Sequence, residues 1–359
     1  MGLGVEVRAG GEGDAELSGA SQIEIDQRLG QMSSFRLTLP ADIREGDIAW
    51  LADPRVDPGA EISVLIATDD GAACLIAGLV TGHQLKLVTG GDGSSVTVLG
   101  SDRAVEMSRE EKVAQWANLK ASDAVEKIVK SYGFTPDVDP TAAAWSEDNH
   151  ALLQCDTDYA FVERLAERNG FCFWVTADAE ETVTAHFKRL ALDSEPASEL
   201  VINLADPTLD ELELEWDTER PTAAVVKQVS LSDKNLIDGS VEGSPQTPLS
   251  DLPLAEIVSG KHSLLMAVVG DDAGELTARG EGALIEASWF VTARCRTSLK
   301  RLGKLVRAGE IVNLRGVGSR HSGRYLVTRV THTIDASAHT MDIELSRNAW
   351  GKSNAGGLF

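Results

Sequence analysis

The sequence predicts a β-rich α+β protein, with two related blocks of short strands flanking a mixed α/β section. Three observations carry this prediction. Apolar residues alternate with period two through residues 1–100 and again through 200–351, separated by turn signals. Between them, over 101–199, the spacing becomes helical. Finally, the first block has an echo in the last: Gly59-Ala-Glu-Ile-Ser-Val-Leu65 matches Ala308-Gly-Glu-Ile-Val-Asn-Leu314, and Leu79-Val-Thr81 matches Leu326-Val-Thr328 after a similar interval.

In the first block, Val5 and Val7, Ile23 and Ile25, and Phe35, Leu37 and Leu39 mark strands, the last stopped at Pro40. Ile62, Val64 and Ile66, then Cys74 to Val80, then Leu85 and Leu87, then Val96 to Leu99 continue the pattern, with glycine-rich turns between. Such a run reads as a small barrel or sandwich. In the middle section Ser122 is expected to cap a helix carrying Val125, Ile128, Val129 and Tyr132, ending at Gly133. Thr157 is expected to cap a second helix, whose Tyr159, Val162, Leu165 and Ala166 form a stripe opposite Glu163, Arg164, Glu167 and Arg168. Gly170 follows as its left-handed stop, and Phe171, Phe173 and Val175 start a strand at once. A further strand is expected at 186–190.

The third block begins with Leu212, Leu214 and Trp216, then Val225, Val226 and Val229. Residues 233–256 are rich in Gly, Ser, Pro and Asp and read as a loop, and a helix over about 272–287 contains Gly280 and Gly282, so the excursion spans 233–288. Strands follow at 291–297, 311–314, 325–333 and 341–345, and 352–359 reads as a flexible tail.

The totals exclude several function classes. The length of 359 residues allows two or three domains, and 43% hydrophobic with 25% charged residues is a globular composition. A net charge of −23 leaves no basic surplus for a nucleic-acid backbone. No secretory signal is visible at the N-terminus, and the apolar runs are too short to span a bilayer, so cytoplasmic synthesis without membrane insertion is expected. Cys74, Cys155, Cys172 and Cys295 are scattered, which predicts buried, reduced thiols rather than a zinc site or a disulfide framework. The acidic surplus also raises an expectation that a channel in the assembly is lined by carboxylates.

Candidate chemistry is sparse. His83, His150, His186, His262, His321, His332 and His339 show no metal-binding spacing, although His321, His332 and His339 could form a trio on paper. Glu147 with Asp148, or Asp156 with Asp158, could be written as a glycosidase pair, but acidic neighbours are expected by composition in such a chain. No Gly-x-Ser-x-Gly elbow or phosphate loop occurs, and the Gly316-Val-Gly318 stretch leads into a turn rather than a helix. Trp174, Trp216, Trp289 and Trp350 are expected to pack in cores or interfaces. No catalytic, cofactor-binding or metal-ligating residue is therefore expected.

The stretch from Gln154 through the capped helix, Phe161-Val-Glu-Arg-Leu-Ala-Glu167, Asn169-Gly170 and the aromatic strand resembles the phage late control protein D and VgrG family. So do Trp289 to Thr297, Arg307 to Val312, Gly316 to Tyr325, Val330 to Asp335, and Glu344 to Gly351. The resemblance implies two tube-like β-barrel domains at 1–100 and 200–351, an α/β domain at 101–199, and no enzymatic activity or cofactor. It implies a baseplate hub of a contractile injection system or phage tail-like particle: a homotrimer joining a hexameric inner tube, or tube initiator, to a trimeric spike among other baseplate components. VgrG proteins continue into a further barrel and needle, whereas this sequence stops shortly after Trp350, so the spike is expected on a separate chain. A tail-associated peptidoglycan hydrolase and a monomeric carbohydrate-binding module are the alternative readings.

Overall fold

A computed structural model describes residues 4–44, 46–68, 71–141, 144–145, 152–229, 234–260, 262–266 and 273–351. The first block contains β1 (Val5–Ala9), β2 (Gln22–Arg28), β3 (Ser34–Pro40), β4 (Glu61–Thr68), β5 (Gly71–Lys86) and β6 (Ser95–Asp102). Leu85, expected on a separate strand, continues β5 instead, because a bulge near Thr81 bends the strand without ending it. Their ladder runs β2, β3, β6, β5, β4, β1.

The middle of the chain supplies β7 (Glu111–Trp116), α1 (Ala121–Ser131), β8 (Thr135–Val138), β9 (Leu152–Thr157), α2 (Asp158–Asn169), β10 (Cys172–Ala177) and β11 (Val183–Lys188). Ser122 does not cap α1. It lies buried in the first turn and exchanges hydrogen bonds with Thr141, while Asp123 accepts from the Lys120 amide at the true start. The α2 caps are as expected: the Thr157 hydroxyl accepts from the Ala160 amide at 3.2 Å, and Gly170 is left-handed at φ 62°. Its buried face is wider than the expected stripe, because Phe161 is wholly buried and stacks on Trp116 with ring centroids 6.2 Å apart. The strand expected at 186–190 begins earlier, at Val183, to pair with β10.

The last part contains β12 (Ser198–Val201), β13 (Glu211–Trp216), β14 (Ala223–Val229), α3 (Ala273–Ser288), β15 (Val291–Ser298), β16 (Ile311–Arg315), β17 (Gly323–Asp335) and β18 (His339–Arg347). β14 leaves the main sheet and forms a small sheet of its own, on which α3 packs through Leu276 and Leu284. The glycines inside α3 are contact points. A Cβ on Gly282 would stand 2.7 Å from the Glu167 carbonyl of α2, and one on Gly280 would meet Val226 and Val241 at 3.1 and 3.2 Å. Close helix approach thus offsets their poor helix propensity.

The two strand blocks merge. β2 pairs antiparallel with β17, and the result is one continuous 13-stranded sheet, whose thirteenth member is a short strand at Glu12–Asp14 paired with β1. Among the described residues no ladder closes it into a barrel, so the expectation of two closed barrels is corrected to two curved units of one sheet. The physical reason is the length of β17: its 13 residues pair with β18 on one side and with both β16 and β2 on the other. Each unit keeps its own core, one around Ile25, Phe35, Leu37, Val64 and Val98, the other around Ala293, Leu314, Val327 and Ile343.

A glycine in the first core yields a direct test. A Cβ at Gly100 would fall 2.0 Å from the Phe35 ring and 2.6 Å from the Leu79 carbonyl. Gly100→Ala is therefore expected to lower stability by about 1–3 kcal/mol in urea unfolding, as overpacking does. Unchanged stability would show that Phe35 can vacate the space.

Candidate assembly surface

The sequence echo is a structural duplication. The second unit's ladder runs β13, β15, β18, β17, β16, β12, the same spatial and chain order as β2, β3, β6, β5, β4, β1. Both units carry a bulge at the same place, between Val80 and Gly82 against β6 and between Val327 and Arg329 against β18. The bulged threonines bond alike, Thr81 Oγ1 donating to the Leu99 carbonyl at 3.3 Å and Thr328 Oγ1 to the Glu344 carbonyl at 3.2 Å. In the preceding strands the structural match is displaced by one residue from the sequence echo. Gly59 corresponds to Gly309: both have positive φ, 90° and 92°, and both amides donate at 2.8 Å, to the carbonyls of Val80 and Val327. Hydrogen-bond register decides this equivalence, which places Ile62 with Val312 and Val64 with Leu314 in the cores.

Volume is exchanged between the units. Phe35 faces Gly100 in the first, whereas the corresponding pair in the second is Ala293 opposite Leu345. Large against none has become small against large, a swap that cores tolerate when total volume is kept. One difference remains: β1 runs antiparallel to β4, and β12 parallel to β16.

Away from the cores the sheet presents a polar face that crosses the junction. Arg329 of β17 meets Asp26 of β2 at 2.6 Å and Glu344 of β18 at 3.3 Å, while Arg296 meets Asp342 at 2.6 Å and Glu211 at 3.6 Å. Burial works to raise the Asp26 carboxyl, but hydrogen bonds from Arg329 and Arg28 outweigh it and hold the group below its ordinary value. Arginines Arg28, Arg36, Arg294 and Arg296 are interspersed among Glu24, Glu211, Glu213 and Glu215. This face is of mixed charge.

The residues singled out for chemistry are dispersed. Glu147, Asp148 and His150 lie outside the described residues. Asp156 pairs with Arg164 at 2.5 Å, whereas Asp158 is buried and bonded to Lys112, Tyr132 and Gln154. Burial pushes the Asp158 carboxyl up, and those three donors bring it below its ordinary value, so it is a satisfied structural anion. His332 and His339 come together with ring nitrogens 3.0 Å apart, but His321 packs against Trp350 instead of completing a trio. Among the described residues no group of three potential ligands gathers to hold a metal ion. His186 is bonded to Asp137 and Thr176 and stacks under Trp174 at 4.7 Å. Trp216 meets Trp350 edge-on at 5.1 Å, yet stays 49% exposed at the sheet's margin. Trp289 packs partly buried near Leu326.

Cys74 and Cys295 are buried, and burial pushes their thiols up to about 11 and about 12. Cys155 departs from expectation: it is exposed, on the open side of the two-stranded β7–β9 ribbon beside Leu153 and Val113. A cleft of about 680 Å³ between α2, α3 and β17 is lined by Phe171, Ile285 and Trp289 among others; none of the histidines or aspartates discussed above lines it. Among the described residues no helix is long and apolar enough to cross a membrane.

A duplicated, merged sheet with an α/β insertion is a distinctive arrangement, and comparison with known proteins gives it a family. The model of the Alg8 N-terminal domain matches residues 3–336. The chain belongs to the Alg8 N-terminal domain family. A search of curated proteins finds no sequence match. Among solved structures this family member is similar to a tail protein from Neisseria meningitidis MC58, at 15% identity over 97% of both chains with a TM-score of 0.67. It is also similar to the 43 kDa tail protein of prophage MuSo2 from Shewanella oneidensis, at 16% identity over 96% of this chain and 98% of that one, TM-score 0.66. A third is an Escherichia coli component of the type VI secretion system, described as structurally similar to the T4 bacteriophage tail proteins gp27 and gp5. There the identity is 13%, over 98% of this chain and 79% of that one, with a TM-score of 0.60. The Alg8 N-terminal domain chain thus has the β-rich α+β fold of phage tail hub proteins, and the resemblance seen in its sequence motifs is matched in its fold.

Proposed function

We propose that the chain is a structural, non-enzymatic baseplate hub, a trimeric symmetry adaptor between a hexameric inner tube and a trimeric spike. The observation that carries this reading is the duplication: one chain holds two units of one sheet with the same strand order and the same bulge. Three chains present six such units to a sixfold partner on one side. The sequence differences between units, and the α/β section between them, keep the other side threefold. Closed symmetry of this kind uses heterologous contacts between unlike units of neighbouring subunits.

On this reading the hub is made in the cytoplasm and acts within a phage tail-like particle or contractile injection system. Co-expression with tube and spike proteins is expected to give an equimolar hub and spike complex, three of each, on the tube axis in cryo-electron microscopy. Six identical hub copies, or a hub off the axis, would sink the adaptor account.

A further inference from the structure

The duplicated sheet has one internal junction and two margins that correspond to the two sides of it. Inside the chain, β2 lies along the second half of β17, with Gln27 opposite Val330, Ile25 opposite His332 and Ile23 opposite Ile334. The counterpart of β2 in the other unit is β13: Ile23 and Ile25 pair with Leu37 and Phe35, and Leu212 and Leu214 pair with the equivalent Cys295 and Ala293. The counterpart of the second half of β17 is the second half of β5: Val330 and His332 pair with Ile343 and Met341, and His83 and Leu85 pair with the equivalent Val98 and Val96. Among the described residues, β13 has a ladder on one side only, to β15, and Gly82–Lys86 has one only to β6.

Exposure differs accordingly. Ile23, Ile25, His332 and Ile334 at the internal junction are all completely buried. Their counterparts are open: Leu85 is 41% and Leu87 57% exposed, Leu212 and Leu214 are half-buried, and Trp216 closes the row at 49%. Exposed strand edges carrying apolar side chains are hazards that folded proteins normally cover. Here the chain shows how the same edge is covered in its own other half.

We propose that β13 of one copy pairs antiparallel with Gly82–Lys86 of β5 in a second copy, in the register that β2 and β17 use within the chain. This deepens the hub reading and rests on it, by naming the contact that closes the ring. The internal register transfers without adjustment. Trp216 then lies opposite His83, Leu214 opposite Leu85 and Leu212 opposite Leu87, all on the core side. On the polar side Glu213 lies opposite Lys86 and Glu215 opposite Gln84. Leucine meets leucine at two of the three core-side positions, Trp216 lies over His83, whose Nε2 stands 2.7 Å from the Val56 carbonyl, and the one cation of the β5 edge meets a carboxylate, as the Asp26–Arg329 pair does across the internal junction. The occupant is a second copy because each margin is complementary to the other, not to itself, which makes the contact heterologous and able to close around an axis.

The test is a cross-link in the full chain. Directly opposed residues stand about 4.5–5.5 Å apart between Cα atoms, within disulfide reach, whereas neighbours two residues along stand about 7–8 Å apart and outside it. Lys86 and Glu213 are exposed, so Lys86→Cys with Glu213→Cys leaves the fold intact. Mild oxidation is expected to give covalent dimers and closed covalent trimers on a non-reducing gel. Lys86→Cys with Glu215→Cys is expected to give several-fold less. Glu213→Lys alone is expected to weaken self-association in light scattering, and Lys86→Glu added to it to restore the association. A trimer that forms without the 86–213 cross-link overturns this pairing while leaving the hub reading intact. The cross-link within an open filament or a six-copy ring keeps the pairing and sinks the hub reading. Equal cross-linking from positions 213 and 215, or neither association nor cross-linking, overturns the pairing.

Discussion

Acidification through the range below pH 6.5 is expected to destabilise the protein by about 3 kcal/mol or more through the His332–His339 pair alone. Both rings are buried on the β17–β18 hairpin, with Nδ1 of His332 3.0 Å from Nε2 of His339, so one neutral ring donates to the other. The outer nitrogens, Nε2 of His332 and Nδ1 of His339, have no partner among the described residues. A second proton would therefore sit on a buried, unpaired nitrogen. Burial holds His339 down to about 4, from an ordinary 6.5. Burial, then His339 and Arg307, hold His332 well below the same value. A histidine depressed in the folded state contributes stability that is complete above its unfolded value. That contribution is lost as the pH falls through the folded one, so for His339 the window runs from 6.5 down to about 4. Urea unfolding across this window is the measurement. The double variant His332→Leu, His339→Met removes both partners together, which costs little when an apolar shape replaces them. It is expected to lose less stability than the wild type across the window. Equal losses in the two proteins would show that the pair is not the group responding.

Phe161→Ala is expected to cost about 3–5 kcal/mol and Leu165→Ala about 2–5 kcal/mol, since both are buried large-to-small changes in the core of the α/β section. Phe161 is wholly buried between Trp116 and the packed face of α2, and Arg164 lies over its ring at 5.3 Å. Leu165 is 1% exposed, one turn further along. Glu167, exposed on the opposite side, is expected to change by no more than about 0.5 kcal/mol on truncation to alanine. A denaturation series with similar losses at all three positions would mean that α2 presents a different face. Phe161 stands one turn before Leu165, so it widens the expected stripe on the same side of α2. It is recruited by Trp116, 45 residues earlier, on a strand that pairs with β9.

Local chemistry is what a sequence carries openly. Period-two alternation identified most strands of both blocks, since each strand has one face in a core and one in solvent. The Thr157 cap, the Gly170 stop and the aromatic strand after it follow from backbone rules acting within a few residues. The family resemblance was also legible, because those local devices recur in order along the chain. The repeat was visible too, although displaced by one residue in β16, where apolar identity matched Ile62 to Ile311 and hydrogen bonding matches Ile62 to Val312.

What the tertiary structure decided depends on residues far apart in the chain. Alternation shows that a strand has two faces but not which edge lies beside it, so the sequence could not show that β2 would join β17, some 300 residues later. That pairing merges two expected barrels into one sheet, buries His332 and Ile334, and leaves Leu85, Leu87 and Trp216 exposed at the equivalent margins. Likewise, Gly280 and Gly282 weaken a helix when read locally, and only the approach of α2 and β14 shows that their missing side chains make room for neighbours. Propensity and period are properties of a segment. Edge pairing, burial of a polar pair and close helix contact are properties of two segments, and they are set when the chain brings both together.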